Sequence, residues 1–213
     1  MSYIDSEISK EKLNNLKKIP GICIFIDMCN STELKQKDLH EWILMIKNTI
    51  DVSTNISFLL KDHIVKLIGD EIMIYIPDTE LGNETYATIF DFVKCILSKF
   101  DNYIDNNLTL RLKAAIHYCD DVYNISFFRD HNDYYGNGID LTARLMTKSK
   151  EDIIVVSEKY YNNIDTSSSD TMKDISPVYI ENFKGFSDYT EFRIYKVKKP
   201  SNHCMEVTRK AVR

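Results

Sequence analysis

An α+β fold is predicted by three observations. The run GICIFID, residues 21–27, is apolar enough for a buried strand and ends on an acid. Residues 64–76 hold two apolar runs on either side of Gly69-Asp70, the pattern of a tight hairpin. Residues 38–58 and 83–101 carry apolar side chains at helical spacing. With an alternating segment at 108–117 closing the series, the order is β-α-β-β-α-β, a ferredoxin-like sheet with helices on one face.

Each element has its own warrant. Residues 1–20 read as a short helical arm, with Ile4, Ile8, Leu13 and Leu16 as its stripe and Pro20 as its stop. Such an arm packs on its own domain or on a second subunit. Asp38-x-x-Glu41 is a capping box, followed by Leu39, Trp42, Ile43, Ile46 and Ile50 on a helix running to about residue 58. Tyr86, Ile89, Phe90, Val93, Leu97 and Phe100 carry the second helix. In 108–117, Leu108, Leu110, Leu112, Ala114 and Ile116 alternate with Thr109, Arg111, Lys113, Ala115 and His117, as in a half-buried strand.

Residues 119–136 are long enough to form an ordered functional loop or a small hairpin. A helix over about 138–149 leads to a strand at 153–157, and Ser157 caps a short helix through Tyr161. Residues 165–176 read as loop, and strands near 178–182 and 191–197 flank Lys184-Gly185. One domain is therefore expected over 21–197, extended by these further strands, with a basic, frayed tail over 198–213.

Composition excludes several classes. At 213 residues and 44% hydrophobic, the chain suits one ordinary globular domain. No apolar run approaches the roughly 18 residues that cross a bilayer, and MSYIDSEISKEKL is too polar for a signal peptide. A cytoplasmic location is the expectation. The net charge of −5 argues against a general nucleic-acid binder. The five cysteines form no C-x-x-C pair, so reduced thiols are expected rather than structural zinc.

The chemistry-bearing residues are few. Asp27 and Asp70 each end a strand, and two carboxylates that meet there suit Mg²⁺, which keeps water and shares substrate phosphates. Lys66 also needs a reason, since a buried strand has little use for a lysine. His63 and His117 have no partner at ligand spacing and read as structural. Gly136-x-Gly138 lacks the lysine and the spacing of a phosphate loop. Ser31 and Thr32 suit a helix start better than a nucleophile.

FIDMCNST (25–32), KLIGDEIM (66–73) and DYYGNGIDLTARL (133–145), in this order and followed by FKGF (183–186), resemble the signature segments of class III nucleotidyl cyclases. The resemblance implies that Asp27, Asp70 and the backbone carbonyl of Met28 hold two divalent cations, Mg²⁺ or Mn²⁺. It implies that Lys66 and Asp133 read the base, that Arg144 stabilises the transition state, and that Lys184 binds the triphosphate. It implies a homodimer in which one subunit gives the metal aspartates and the other gives the base readers and the arginine. Asp140 departs from the family pattern, which has an asparagine there to contact the ribose. Its spacing from Arg144 allows an i,i+4 ion pair instead, and Asn137 is an alternative ribose contact.

The base is left open by hydrogen-bond logic, because a lysine donor with an aspartate acceptor suits adenine, cytosine and uracil. Tyr134, Tyr135, Phe127 and Phe128 either shrink the pocket or pack the loop. The bare catalytic layout is similar to the stand-alone pyrimidine cyclases of bacterial antiphage (Pycsar) systems. That likeness implies UTP or CTP as substrate, cyclic UMP or cyclic CMP as product, and a separate cyclic-nucleotide effector. An adenylate cyclase making cyclic AMP is the alternative, and a degenerate module that binds nucleotide or only dimerises is a further one.

Overall fold

The computed structural model describes residues 15–100, 102–104, 108–125, 133–164 and 174–198. Its centre is a mixed, mostly antiparallel sheet in the order β2-β3-β1-β5-β8-β10-β9, with β4 pairing the start of β5. The strands are β1 (Gly21–Cys29), β2 (Ile64–Ile68), β3 (Glu71–Pro77), β4 (Asn102–Ile104), β5 (Leu108–Cys119), β8 (Ile153–Ser157), β9 (Tyr179–Glu181) and β10 (Thr190–Lys196). Strands β6 (Tyr123–Asn124) and β7 (Tyr134–Tyr135) form a separate small hairpin. The described ends of the connection over 119–136 thus pair as the hairpin alternative has it, and 126–132 lie outside the described residues. Phe127 and Phe128 lie outside the described residues.

Two helical layers follow from the alternation of side chains along these strands. On one face, Ile22, Ile24 and Ile26 of β1 and Ile72, Ile74 and Ile76 of β3 meet helices α2 (Leu39–Ile56) and α4 (Tyr86–Lys99). On the other face, Cys23, Phe25, Met73, Tyr75, Ala115 and Cys119 meet α5 (Asn137–Met146) through Ile139, Leu145 and Met146. The segment 108–117 is therefore not a half-buried strand along its whole length. His117 on the nominally polar side is 5% exposed beneath this second layer.

Caps set the helix limits. Asp38 accepts from His40 N and Glu41 N at 3.0 Å each, which starts α2 as expected. Ser57 then caps a separate short helix, α3 (Phe58–Asp62), so the run to residue 58 is two helices rather than one. Thr85 accepts from Thr88 N and starts α4 at Tyr86. Helix α5 stops at Met146 rather than about 149, because Lys148 N and Ser149 N close tighter turns onto Leu145 and Met146. Ser157 caps α6 (Glu158–Tyr161) by accepting from Tyr160 N at 3.1 Å. Ser31 opens α1 (Ser31–Lys37), in keeping with its reading as a helix start, and only Ser31 and Leu34 are buried there.

Of the expected N-terminal arm, residues 1–14 lie outside the described residues, and 15–20 are not helical. Ile19 N instead donates to Val122 O at 2.7 Å, and Pro20 O accepts from Asp78 N at 3.0 Å. These bonds continue the line of β1 between the ends of β3 and β5. Gly136 and Gly138 are packing glycines: a Cβ would lie 2.5 Å from Asp121 O in one case and 2.6 Å from Cys119 Sγ in the other. No helix among the described residues is long and apolar enough to cross a membrane.

Candidate active site

Two clusters of candidate residues, one around Asp27 and Asp70 and one around Lys66 and Asp133, form on the α5 side of the sheet. The first group stands where β1 runs out beside the β2–β3 turn. Gly69 takes φ 69° there, which glycine tolerates and most residues do not, and Ile68 pairs with Glu71 across the turn. This leaves Asp70 at the tip, beside Asp27. Asp27 pairs in register with Lys113 of β5, whose ammonium lies 3.0 Å from Asp27 Oδ2.

Charge is crowded at this point. Burial raises the carboxyl of Asp27 above the usual carboxylate range; Lys113 opposes the shift and Asp70 adds to it. Burial also pushes Glu71 up to about 7, helped by the negative charge of Asp27 and Asp70. Asp70 Oδ2 is buried with no hydrogen-bond partner. An open cleft of about 790 Å³ lies here, lined by Asp27, Met28, Asp70 and Lys113, with Ser31 and Lys150 on its rim.

A hard divalent cation fits this donor set. An orphaned carboxylate oxygen beside a second carboxylate supplies oxygen ligands that lack a proton donor. Among the described residues no cluster of three His, Cys, Asp or Glu side chains is placed to hold a metal. Coordination would therefore have to be completed by backbone, water and substrate oxygens, as suits Mg²⁺ or Mn²⁺ sharing phosphates. Lys113 was missed in the sequence, where it looked like one polar residue of an alternating strand. The available signal was a lysine on the same strand face as Ala115.

The second group is built on edge strand β2 and the β6–β7 hairpin. Lys66 pairs in register with Met73, which directs it to the face where Tyr134 packs on Tyr75 with ring centroids 4.3 Å apart. Its ammonium donates to Asp133 Oδ1 at 2.7 Å and to Oδ2 at 2.8 Å. Tyr134 N donates to Oδ1 at 2.8 Å, and the Tyr135 hydroxyl donates to Oδ2 at 2.9 Å. Burial works against the charge on Asp133, but these hydrogen bonds outweigh it and hold the carboxyl below its ordinary value.

Helix α5 carries Asp140 and Arg144, both exposed. The i,i+4 ion pair that their spacing allows does not form, so the arginine stays available. Lys184 occupies an exposed turn between β9 and β10, where Gly185 takes φ 97°. Lys66, Asp133, Asp140, Arg144 and Lys184 do not line the Asp27–Asp70 cleft of their own chain. A single protomer thus brings together two pairs, Asp27 with Asp70 and Lys66 with Asp133, in separate places, and Asp140, Arg144 and Lys184 contact neither pair. His63 is structural: its Nδ1 is 2.7 Å from Leu59 O and its Nε2 is 2.8 Å from Glu80. His117 is held down to about 3 by burial, with Lys159 adding to the effect, and so stays neutral.

The sequence matches the family described as the adenylate and guanylate cyclase catalytic domain over residues 16–197. The chain belongs to that family and is a class III nucleotide cyclase, a phosphorus–oxygen lyase. Members of this class generally use divalent metals.

Solved structures agree on the fold. A Trypanosoma brucei adenylate cyclase in its monomeric state is similar at a TM-score of 0.65 and 16% identity, covering 85% of this chain and 89% of its own. The adenylyl cyclase CyaB from P. aeruginosa is similar at a TM-score of 0.61 and 16% identity, covering 86% and 97%. The guanylate cyclase domain of RhGC from Catenaria anguillulae, in complex with GTP, is similar at a TM-score of 0.61 and 16% identity, covering 85% and 100%. No curated protein sequence matches the chain.

Proposed function

We propose that two copies of this chain form two composite active sites, each converting a nucleoside triphosphate to its 3′,5′-cyclic nucleotide and pyrophosphate. The observation that carries this reading is the division of the candidate residues into two groups that do not share a cleft within one protomer. An isologous pair related by two-fold symmetry would bring each group against the other group of its partner. The family resemblance of the three motifs supports the same arrangement.

In this reading Asp27, Asp70 and the carbonyl of Met28 hold two divalent cations, Mg²⁺ or Mn²⁺. When bound, such ions acidify the ribose 3′-hydroxyl and neutralise charge on the leaving pyrophosphate. The 3′-hydroxyl gives up its proton to water, its oxygen forms a bond to the α-phosphorus, and the bond from that phosphorus to the oxygen bridging to the β-phosphorus breaks, so that pyrophosphate leaves. Lys66 and Asp133 hold the base and fix the distance of the ribose from that phosphorus. Arg144 meets the charge that builds on the α-phosphate oxygens, where a preformed cation is worth most. Lys184 and Lys113 are the cations for the polyphosphate tail. Asp140 accepts but does not donate while ionised, so it contacts the ribose hydroxyls only as an acceptor.

A pyrimidine is the favoured base, with UTP or CTP as substrate. The support is steric: the Tyr135 ring centroid lies 5.6 Å from the Lys66 ammonium, and Tyr134, next in the chain to Asp133, packs its ring on Tyr75. Rings so close to the reading pair leave less room for a purine. The pyrimidine reading carries with it a cytoplasmic setting and a separate effector for cyclic UMP or cyclic CMP. Adenine is the second reading, favoured by the lysine–aspartate pair itself. Incubation with ATP, GTP, CTP and UTP and Mn²⁺, followed by mass spectrometry, tests this. Cyclic UMP or cyclic CMP as main product is expected; cyclic AMP alone would overturn the pyrimidine assignment, and no product with any triphosphate would overturn catalysis.

A further inference from the structure

We infer that Tyr135 is a positioning and specificity-determining residue of the base pocket: its hydroxyl fixes the Asp133 carboxylate, so that Lys66 is the group that reorients when a base enters. The inference rests on the reading of Lys66 and Asp133 as the base-facing pair. A carboxylate offers about four acceptor positions. All four are used in the absence of substrate, by two bonds from Lys66, one from Tyr134 N and one from the Tyr135 hydroxyl. A base N–H can reach Asp133 only by displacing one of these donors.

Their chemistry decides which one yields. Tyr134 N belongs to the backbone next to Asp133 and cannot leave without unmaking the turn into β7. Tyr135 has one hydroxyl proton, and giving it to a base would abandon Asp133 altogether. Lys66 has three N–H donors on a flexible stem and makes two bonds to the same carboxylate. It can keep one and turn another to a ring nitrogen or carbonyl oxygen of the base. Asp133 Oδ2 then regains a free acceptor position beside the Tyr135 bond, aimed at the base N–H. Without the hydroxyl, the carboxylate is free to rotate and follow Lys66, and the neutralised pair no longer distinguishes an amine from a carbonyl at the base edge.

Tyr135→Phe removes only this hydroxyl. The side chain is 39% exposed and the ring is retained, so folding is not at stake. The measurement is kcat and KM for ATP, GTP, CTP and UTP with wild type and Tyr135→Phe. The preferred triphosphate should show a KM about 3- to 10-fold higher with kcat nearly unchanged, as expected for one lost hydrogen bond of ordinary net strength that acts on the base only through Asp133. Its advantage over the triphosphate with the opposite amine or carbonyl pattern should shrink by the same factor. A change of the same size for all four substrates, or an unchanged ratio, overturns the role of Tyr135. Failure of the wild type to cyclise any triphosphate overturns instead the site reading beneath it.

Discussion

The two groups of site residues differ in how their charge is satisfied. Around Asp133 every acceptor position is filled, and the hydrogen bonds hold its carboxyl below the ordinary range. Around Asp27 and Asp70 the acids outnumber their partners. Burial raises Asp27, Glu71 rises to about 7, and one Asp70 oxygen has no donor. The first group is organised by the chain itself; the second is organised to be completed by a cation. Lys113 stands in part for that cation, which explains how the fold tolerates the acids together.

Breaking the under-satisfied group should have the largest effect. Asp70→Asn should lower kcat by at least about 100-fold, the usual loss when a group serving developing charge is removed. The variant should still fold and dimerise, as gel filtration and circular dichroism would show. Retained turnover would sink the metal assignment. Arg144→Ala should lower kcat by about 100-fold with little change in KM, and a pure KM effect would place the arginine in ground-state binding instead.

The contrast sharpens with pH. Cation binding needs deprotonated carboxylates, so apparent Mn²⁺ affinity should rise by up to about tenfold per pH unit for each proton released, levelling above about pH 7 where Glu71 titrates. Calorimetry at several pH values measures this. Glu71 has a folded-state pKa above its ordinary 4.5. Its contribution to stability without metal is therefore fully present below 4.5 and lost as the pH rises through about 7. Wild type should lose melting temperature relative to Glu71→Gln across that window and recover it with Mn²⁺. A flat difference would show that Glu71 is not held in its protonated form.

Effects at the satisfied group should be smaller and should fall on recognition. Lys66→Met leaves Asp133 its two bonds from the hairpin, so kcat/KM should drop about tenfold or more while the fold persists. Equal loss of melting temperature and activity would mark Lys66 as structural. The smallest change is expected at Asp140. Asp140→Asn restores an amide donor at an exposed helix position, and kcat should rise about two- to tenfold if a ribose hydroxyl accepts from it. An unchanged or lower kcat would show that the aspartate is the better residue here.

Much of this was legible in the sequence because it is local. The GICIFID run, the Gly69-Asp70 turn, the Asp38 cap and the Ser157 cap each follow from a few neighbouring residues, and the structure keeps all four. The features that escaped depend on distant partners. Lys113 joins the site only through the β1–β5 register opposite Asp27. The bond from Tyr135 to Asp133 depends on a hairpin that its two-residue strands barely announce. The start of helix α1 at Ser31 was legible, but its extent was not, because a short helix with only Ser31 and Leu34 buried leaves no periodic stripe. The Asp140–Arg144 pair that the spacing allowed is absent for the opposite reason: spacing permits such a contact, but two exposed side chains gain little by making it.

The most direct test of the two-group account is complementation between inactive variants. Asp70→Asn and Arg144→Ala are each purified, mixed in equal amounts, dissociated and allowed to reassociate, and cyclic nucleotide formation is then measured. Random pairing makes half of the dimers mixed, and each mixed dimer regains one intact site of its two, so about a quarter of wild-type activity is predicted. Activity no higher than that of the separate variants would contradict the account, because it would mean that one protomer supplies the whole site.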